Sequence, residues 1–299
     1  MSSLSGTAVP DLSRKARPVE TVVRTVLMVS ALLSVAITVG IVVALIQPVI
    51  DFFAEVPLGD FLAVEGTHAV LPLVGGTAMT TLIALLVAVP LGLGAAMYLS
   101  EYASARARRV LKPTVELLAG VPSVVYGFFA LSFVTPTLLQ DILRLEVGFT
   151  NALAAGLVLG VMIIPTVASL SEDALSAVPQ ALRHGSLAMG ANRMQTTLRV
   201  VLPAALSGVA AAIVLGLSRA VGETMIVTLA AGSLKNLSLD PREGMQTMTG
   251  FIATTAGGEN AVGSTSYNEL FAVGMLLFVL TLVINVVSIA LVRRFRQVY

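Results

Sequence analysis

The sequence contains no cysteine. Disulfides, zinc–thiolate centres and thiol nucleophiles are therefore excluded. Charge is scarce as well: 12% of the 299 residues are Asp, Glu, Lys or Arg, about half the share of a soluble domain. The net charge of +1 provides no bulk attraction for nucleic acid. Lysine occurs only at Lys15, Lys112 and Lys235, which follow Arg14, Leu111 and Leu234. None follows glycine, so there is no phosphate-cradling P-loop, and ATP hydrolysis must come from another chain. The two histidines, His68 and His184, have no neighbouring His or Cys in the sequence. No metal site is expected.

What is abundant is apolar surface. Hydrophobic residues make up 56% of the chain, and mean hydropathy is +0.92, which places the sequence among membrane proteins. A spanning helix needs about 20 apolar residues. Windows poor in charge supply six, at about 25–47, 76–99, 117–139, 149–170, 207–231 and 270–292. The expected fold class is an all-α integral membrane protein with six transmembrane helices, because an isolated span must satisfy its own backbone. Pro90, Pro122, Pro136 and Pro165 lie in or near these windows and mark expected kinks or broken turns.

Basic residues orient the bundle. Arg14, Lys15, Arg17 and Arg24 precede the first window, and Arg106, Arg108, Arg109 and Lys112 lie between the second and third. Arg183, Arg193 and Arg199 lie between the fourth and fifth, and Arg293, Arg294 and Arg296 close the chain. With six spans, these 14 of 18 basic residues share one side. The positive-inside rule makes that side cytoplasmic, with both termini there. Residues 1–20 are expected to be a cytoplasmic tail. The apolar run from Thr25 to Ile50 is too long for the 7–15-residue core of a signal peptide.

Residues 172–206 form the longest cytoplasmic segment between spans. Pro179 suits a first helical turn, Gly190 suits a left-handed stop and Asn192 suits a helix cap. The pattern predicts two short helices joined by Met189, Gly190, Ala191 and Asn192. Met194, Leu198, Val201 and Leu202 recur at helical spacing on the second, and Pro203 ends it. Such a knuckle fits a groove on a soluble partner. It fits an amphipathic element on lipid, or an ordinary inter-span loop, as well.

The fifth window holds two charges, Arg219 and Glu223. An arginine at the centre of a span costs about 2.5–3.5 kcal/mol to insert. Four residues apart on one helix, the two charges share a face and can pair. Two roles fit. Arg219 is a planar donor for an anion in transit, steadied by Glu223; or the pair is a structural lock between helices. Thr224 is beside them, positioned to contact substrate or to bond its own backbone. Ser123 and Tyr126, at the proline-containing break, line a pathway or serve close helix packing. The segment 232–269, rich in Gly, Ser, Thr and Asn, is long enough to meet a substrate-delivery protein or to form a loose outer loop.

These residues resemble a known family. Gly190, nine further residues, Val200, one more and then Leu202-Pro203 is similar to the cytoplasmic loop by which ABC importer permeases engage their ATPase. The opening Glu-Ala-Ala of that loop is here His184-Gly185-Ser186, which removes a carboxylate. The segments 80–103, 118–136 (LAGVPSVVYGFFALSFVTP) and 218–227 (SRAVGETMIV) resemble phosphate permeases of the PstC type, and residues 51–75 look shorter than in many relatives. The resemblance implies a type I ABC importer permease (MetI-like) bundle over 21–299, in the bacterial plasma membrane. It implies transport of inorganic phosphate, with a PstA-like sister permease, a cytoplasmic PstB-like ATPase dimer and an extracytoplasmic PstS-like phosphate-binding protein. No cofactor is expected in this chain; ATP and Mg belong to the partner ATPase, and no nucleic acid is involved. Arg219, Glu223, Thr224, Ser123 and Tyr126 are the expected pathway residues. His184, Gly185, Ser186, Gly190, Ala191, Asn192, Leu202 and Pro203 are the expected coupling residues. Sulfate or molybdate remains an alternative cargo. A stand-alone ion-coupled transporter or a membrane-embedded enzyme is the alternative of a different class.

Overall fold

The computed structural model describes residues 18–294. Arg14, Lys15, Arg17 and Arg296, and most of the expected 1–20 tail, lie outside them. Among the described residues every regular element is helical. Five helices are long and apolar enough to cross a membrane: Val19–Glu55, Leu71–Tyr102, Ser123–Ile142, Ala152–Ser176 and Thr265–Ala290. A sixth crossing comes from the pair Arg193–Ala204 and Leu206–Val221, taken as one span bent by 72°.

The chain divides after Gln47 into two compact units, and the first helix, α1 (Pro18–Glu55), contributes to each. Over residues 25–46 this helix carries no charge and is predominantly apolar on every face, the pattern of a helix surrounded by lipid or by other helices. Thr25 and Thr38 donate their hydroxyls to the carbonyls of Thr21 and Ser34 one turn back, so neither presents an unsatisfied donor to an apolar layer.

The second unit is built around two helices, α3 (Leu71–Met97) and α6 (Ala152–Ser176). The short helix α2 (Leu58–Phe61) precedes them. Apolar burial does not drive helices together within lipid, so close packing of small residues must. On α3, small or hydroxyl residues recur every fourth position as Gly76, Thr80, Ala84, Ala88, Gly92 and Ala96, all buried. On α6 the facing row includes Ala152, Gly156, Gly160 and Ala168, also buried. A methyl group on Gly160 would lie 2.8 Å from Val87 Cβ and 2.9 Å from the Ala84 carbonyl; one on Gly156 would lie 2.6 Å from Ile83 Cβ. The two backbones touch where these glycines stand.

Amphipathic α4 (Ala105–Leu118) carries the basic residues that follow α3. It ends in a turn, and Pro122 caps α5 (Ser123–Phe129). Residues 117–122 thus belong to α4 and this turn, and the crossing helix starts at Ser123. Pro136 lies in the wide-turned continuation Ala130–Ile142, whereas Pro90 and Pro165 sit inside α3 and α6 without interrupting them. A proline removes a donor that a wide i to i+5 turn leaves unused or a neighbouring helix replaces.

The segment 232–246 is not a loose loop. Its backbone bonds to the start of α6 through Ala152 to Glu243 (3.0 Å) and Leu153 to Pro241 (2.7 Å), and to the end of the 225–230 helix through Met245 to Ala231 (2.8 Å). Beyond it, Phe52, Phe61, Leu73, Met248, Phe251 and Val273 form a second apolar cluster. Glu269 is buried there and is held by Lys235 (2.8 Å) and His68 (2.7 Å).

Gly160→Ala is expected to destabilise the bundle by about 1–3 kcal/mol, the cost of overpacking, and to lower the melting temperature of the detergent-solubilised protein. Gly94→Ala, with nothing within 4 Å of the added methyl, leaves it unchanged.

Candidate functional site

The charged fifth window is not one continuous helix. α10 (Leu206–Val221) ends at Gly222, and α11 (Met225–Ala230) starts after Glu223 and Thr224. Arg219 and Glu223 therefore do not share a helix face, and no ion pair joins them. The Glu223 carboxylate turns forward instead: its Oε1 accepts from the backbone N–H of Met225 (3.1 Å) and Ile226 (3.3 Å). A glycine followed by a side chain that caps the next helix favours a break over continuation.

Each charge sits where the broken backbone calls for it. Arg219 is in the last turn of α10, where free carbonyls carry partial negative charge, and Glu223 faces the free N–H groups that open α11. The break is held from three sides. Thr249 donates to the Glu223 carbonyl (2.6 Å), Thr224 donates to the Gly222 carbonyl (3.4 Å) and Thr228 donates to the Thr224 carbonyl (2.6 Å). At the far end of α11, the N–H groups of Asn151 and Met245 take the carbonyls of Ala230 and Ala231, each at 2.8 Å. Asn151 is fully buried and also caps α6 through Ala154 (2.7 Å).

The Arg219 guanidinium is exposed in the single chain, with one side-chain partner among the described residues, Thr166 Oγ1 on α6 at 3.3 Å. Among the described residues its other N–H groups make no further hydrogen bond or ion pair. Tyr126 packs on the core that contains Ala220, Ile226 and Val227, but its hydroxyl donates to the Leu118 carbonyl (3.0 Å) and so steadies the turn before α5. Ser123 opens α5 and is half-buried. Between them and the break lies Gly127, where an added methyl would meet Leu229 Cδ1 at 2.7 Å. Thr166, Thr249 and Asn151 carry no signal in the sequence, since a threonine or asparagine in an apolar window looks the same wherever it faces.

The 172–206 segment folds as a hairpin of helices. Pro179 precedes α7 (Gln180–Ala188), Gly190 adopts φ +87°, and Asn192 caps α8 (Arg193–Thr196) in a reciprocal box with Gln195. Met189, Gly190, Ala191 and Asn192 form the tip, and Met189 is 89% exposed. Ser186 meets Thr196 across the hairpin at 3.0 Å, while His184 and Gly185 are exposed. The expected single face of Met194, Leu198, Val201 and Leu202 is not formed. The wide turn Thr197–Val201 shifts the register, burying Val201 and leaving Met194 and Leu198 exposed. They line a hollow of about 260 Å³ with Met97, Tyr98 and Tyr102. The helix ends one residue beyond Pro203, at Ala204 (α9, Leu202–Ala204).

Residues 88–297 match the family of binding-protein-dependent transport system inner membrane components. The chain belongs to this family. It is thus an ABC importer permease, a transport subunit and not an enzyme, and a multi-pass protein of the bacterial plasma membrane. It is 39% identical over 215 residues to a probable ABC transporter permease, YqgH, of Bacillus subtilis, covering 72% of this chain and 68% of that one. It is 36% identical over 248 residues to the phosphate transport system permease protein PstC 1 of Mycobacterium tuberculosis, covering 76% and 73%. The fold matches the inward-facing MetNI methionine ABC transporter (TM-score 0.56, 23% identity, 76% of this chain and 94% of that chain). It also matches a bacterial ABC transporter that imports the acidic polysaccharide alginate (TM-score 0.66, 16% identity, 94% and 100%). A permease of this family works with an ATPase and a substrate-binding protein.

Two further helices, α12 (Met248–Ala256) and α13 (Thr265–Arg294), complete the permease. α12 supplies Thr249 at the break, and α13 receives Ser218 of α10 on Asn285 (2.7 Å). Beside the start of α6, Asp240, Arg242, Glu243, Glu146 and Asn236 line a polar hollow of about 490 Å³. Hydrogen bonds from Arg242 hold the Asp240 carboxyl down to about 2, so this pair is ionised across the physiological range.

Glu223→Gln keeps the oxygen that caps α11, and its melting temperature is expected to match the parent. Glu223→Ala removes the cap and loses about 1 kcal/mol. Equal loss in both variants, measured in detergent, would show that the charge and not the acceptor holds the break.

Proposed function

We propose that this chain is a permease subunit of an ATP-driven importer of inorganic phosphate, forming the pathway with a PstA-like sister permease. The observation that carries the reading is Arg219. It is a permanently charged planar donor in the last turn of a broken intramembrane helix, with one side-chain partner and the rest of its donors unengaged among the described residues. Ionisable groups at this depth are retained for ions or substrates, and broken helices at membrane depth persist where they line a cavity. A guanidinium matches the oxygens of a tetrahedral anion. The relatives named PstC supply the choice of phosphate within that class.

Glu223 acts here as the cap that holds α11, not as the counter-ion of Arg219. An anion entering the break meets the guanidinium without displacing a carboxylate. Thr224, Ser123 and Tyr126 shape the walls around it. The α7–α8 hairpin, with Met189 at its tip, docks on a PstB-like ATPase dimer, which holds the ATP and Mg. Its side of the membrane is the cytoplasmic one by the positive-inside rule, together with both termini. The polar hollow at Asp240 and Arg242, on the opposite face, receives a PstS-like phosphate-binding protein.

The test is ATP-dependent uptake of labelled phosphate by vesicles holding the assembled complex, with unlabelled phosphate, sulfate and molybdate as competitors. Suppression by phosphate alone is expected. Equal suppression by sulfate or molybdate would reassign the cargo within the same architecture. Arg219→Gln is expected to assemble normally and to lose about tenfold to a hundredfold in uptake, the value of a charged hydrogen bond of about 1.5–3 kcal/mol. Uptake at the parent rate would make Arg219 a structural residue.

A further inference from the structure

The hairpin is tied to the spans by buried charges that the transport reading leaves unused. Arg183, on α7, is only 8% exposed. Its guanidinium donates to Glu101 Oε1 through Nη2 (2.8 Å) and Nε (3.2 Å). It also takes the Leu175 carbonyl (2.8 Å) and, through Nη1, the Val178 carbonyl. Those two carbonyls are at the end of α6 and just beyond it, and Glu101 lies in the wide turn Tyr98–Tyr102 that ends α3. One side chain therefore joins the hairpin to the termini of the two helices that form the centre of the bundle.

The contact continues outward. Ser100 donates to Glu101 (3.1 Å) and lies 3.4 Å from Ser176. Ser176 donates to Glu172 (2.9 Å), which is wholly buried and also receives Lys112 (2.6 Å) and Arg108 from α4. Lys112 reaches Asp173 as well (2.7 Å), and its hydrogen bonds to Asp173 and then Glu172 hold its pKa above the ordinary lysine value. α4, α6, the end of α3 and α7 thus meet in one continuous polar joint.

A buried ion pair adds little net stability over a well-packed apolar pair, so stability does not explain why this joint is ionic. Directionality does. A forked guanidinium with all three of its nitrogens engaged fixes the angle as well as the distance between elements, which an apolar contact leaves free. We infer that Arg183 is a positioning residue of the transport cycle: with Glu101 it makes α7 one rigid body with the ends of α3 and α6, so that a displacement of the hairpin moves the spans. The inference rests on the proposed coupling role of the hairpin.

The test exploits the absence of cysteine. Spin labels at Ala181→Cys, an exposed position on α7, and Leu91→Cys on the exposed face of α3 report their separation in the complete complex, with and without ATP. In the parent protein a single narrow distance, unchanged by nucleotide, is expected. The double variant Glu101→Leu/Arg183→Met removes both charges, so it leaves no unpaired buried ion and is expected to assemble. Its distance distribution broadens or shifts on adding ATP, and phosphate carried per ATP hydrolysed falls at least tenfold while hydrolysis persists. The exchange Glu101→Arg/Arg183→Glu restores the narrow distance in part. A double variant with the parent's narrow, nucleotide-independent distance would overturn the inference. Failure of the parent complex to carry phosphate would count against the cargo assignment alone, because the label distances are read without it.

Discussion

A backbone interrupted inside an apolar layer must have its free N–H and C=O groups satisfied by the protein itself. The break at Gly222–Thr224 meets that constraint at both ends of α11. Glu223 takes the first donors of α11, Asn151 and Met245 take its last carbonyls, and Thr249 holds the residue between. Most of the surrounding design follows. α6 must begin beside the end of α11 for Asn151 to reach it, and the 232–246 segment must fold back for Met245 to do the same. Arg219 stands outside this set of bonds. The backbone has no need of more than its position near the end of α10, and its donors stay available.

The break can stay open only if the helices around it are fixed. α3 and α6 provide the fixed part, because their backbones meet at glycines where no side chain intervenes. The polar joint at the basic end extends that rigidity to the α7–α8 hairpin through directional bonds. On the proposed coupling role, a rigid pair of spans, an interrupted span beside them and a hairpin locked to the pair would act as a lever between Met189 and the walls around Arg219.

Much of this was legible in the sequence where local chemistry dictates the outcome. Pro179, Gly190 and Asn192 specify the hairpin, because each residue type has a single low-energy use at that place. The apolar windows specify the crossings, and the segments around Gly-Val-Pro-Ser and Arg-Ala-Val-Gly-Glu specify the family. The continuity of the fifth span was misread, since the spacing of Arg219 and Glu223 fits a helical pair as well as it fits a break with a cap. Only Gly222 between them hints at the second. The face of Met194, Leu198 and Val201 was misplaced because wide turns leave no mark in a pattern read at 3.6 residues per turn. The partners of Arg183 and Glu172 were hidden for another reason. Glu101 is 82 residues away from Arg183 in sequence, and no spacing rule reaches that far.

The most direct measurement is a structure of the assembled complex with phosphate, trapped by a hydrolysis-deficient ATPase. The proposal predicts tetrahedral density within about 3 Å of the Arg219 guanidinium, with Glu223 still capping α11. Density elsewhere in the pathway, with Arg219 paired to a carboxylate of the sister subunit, would contradict it.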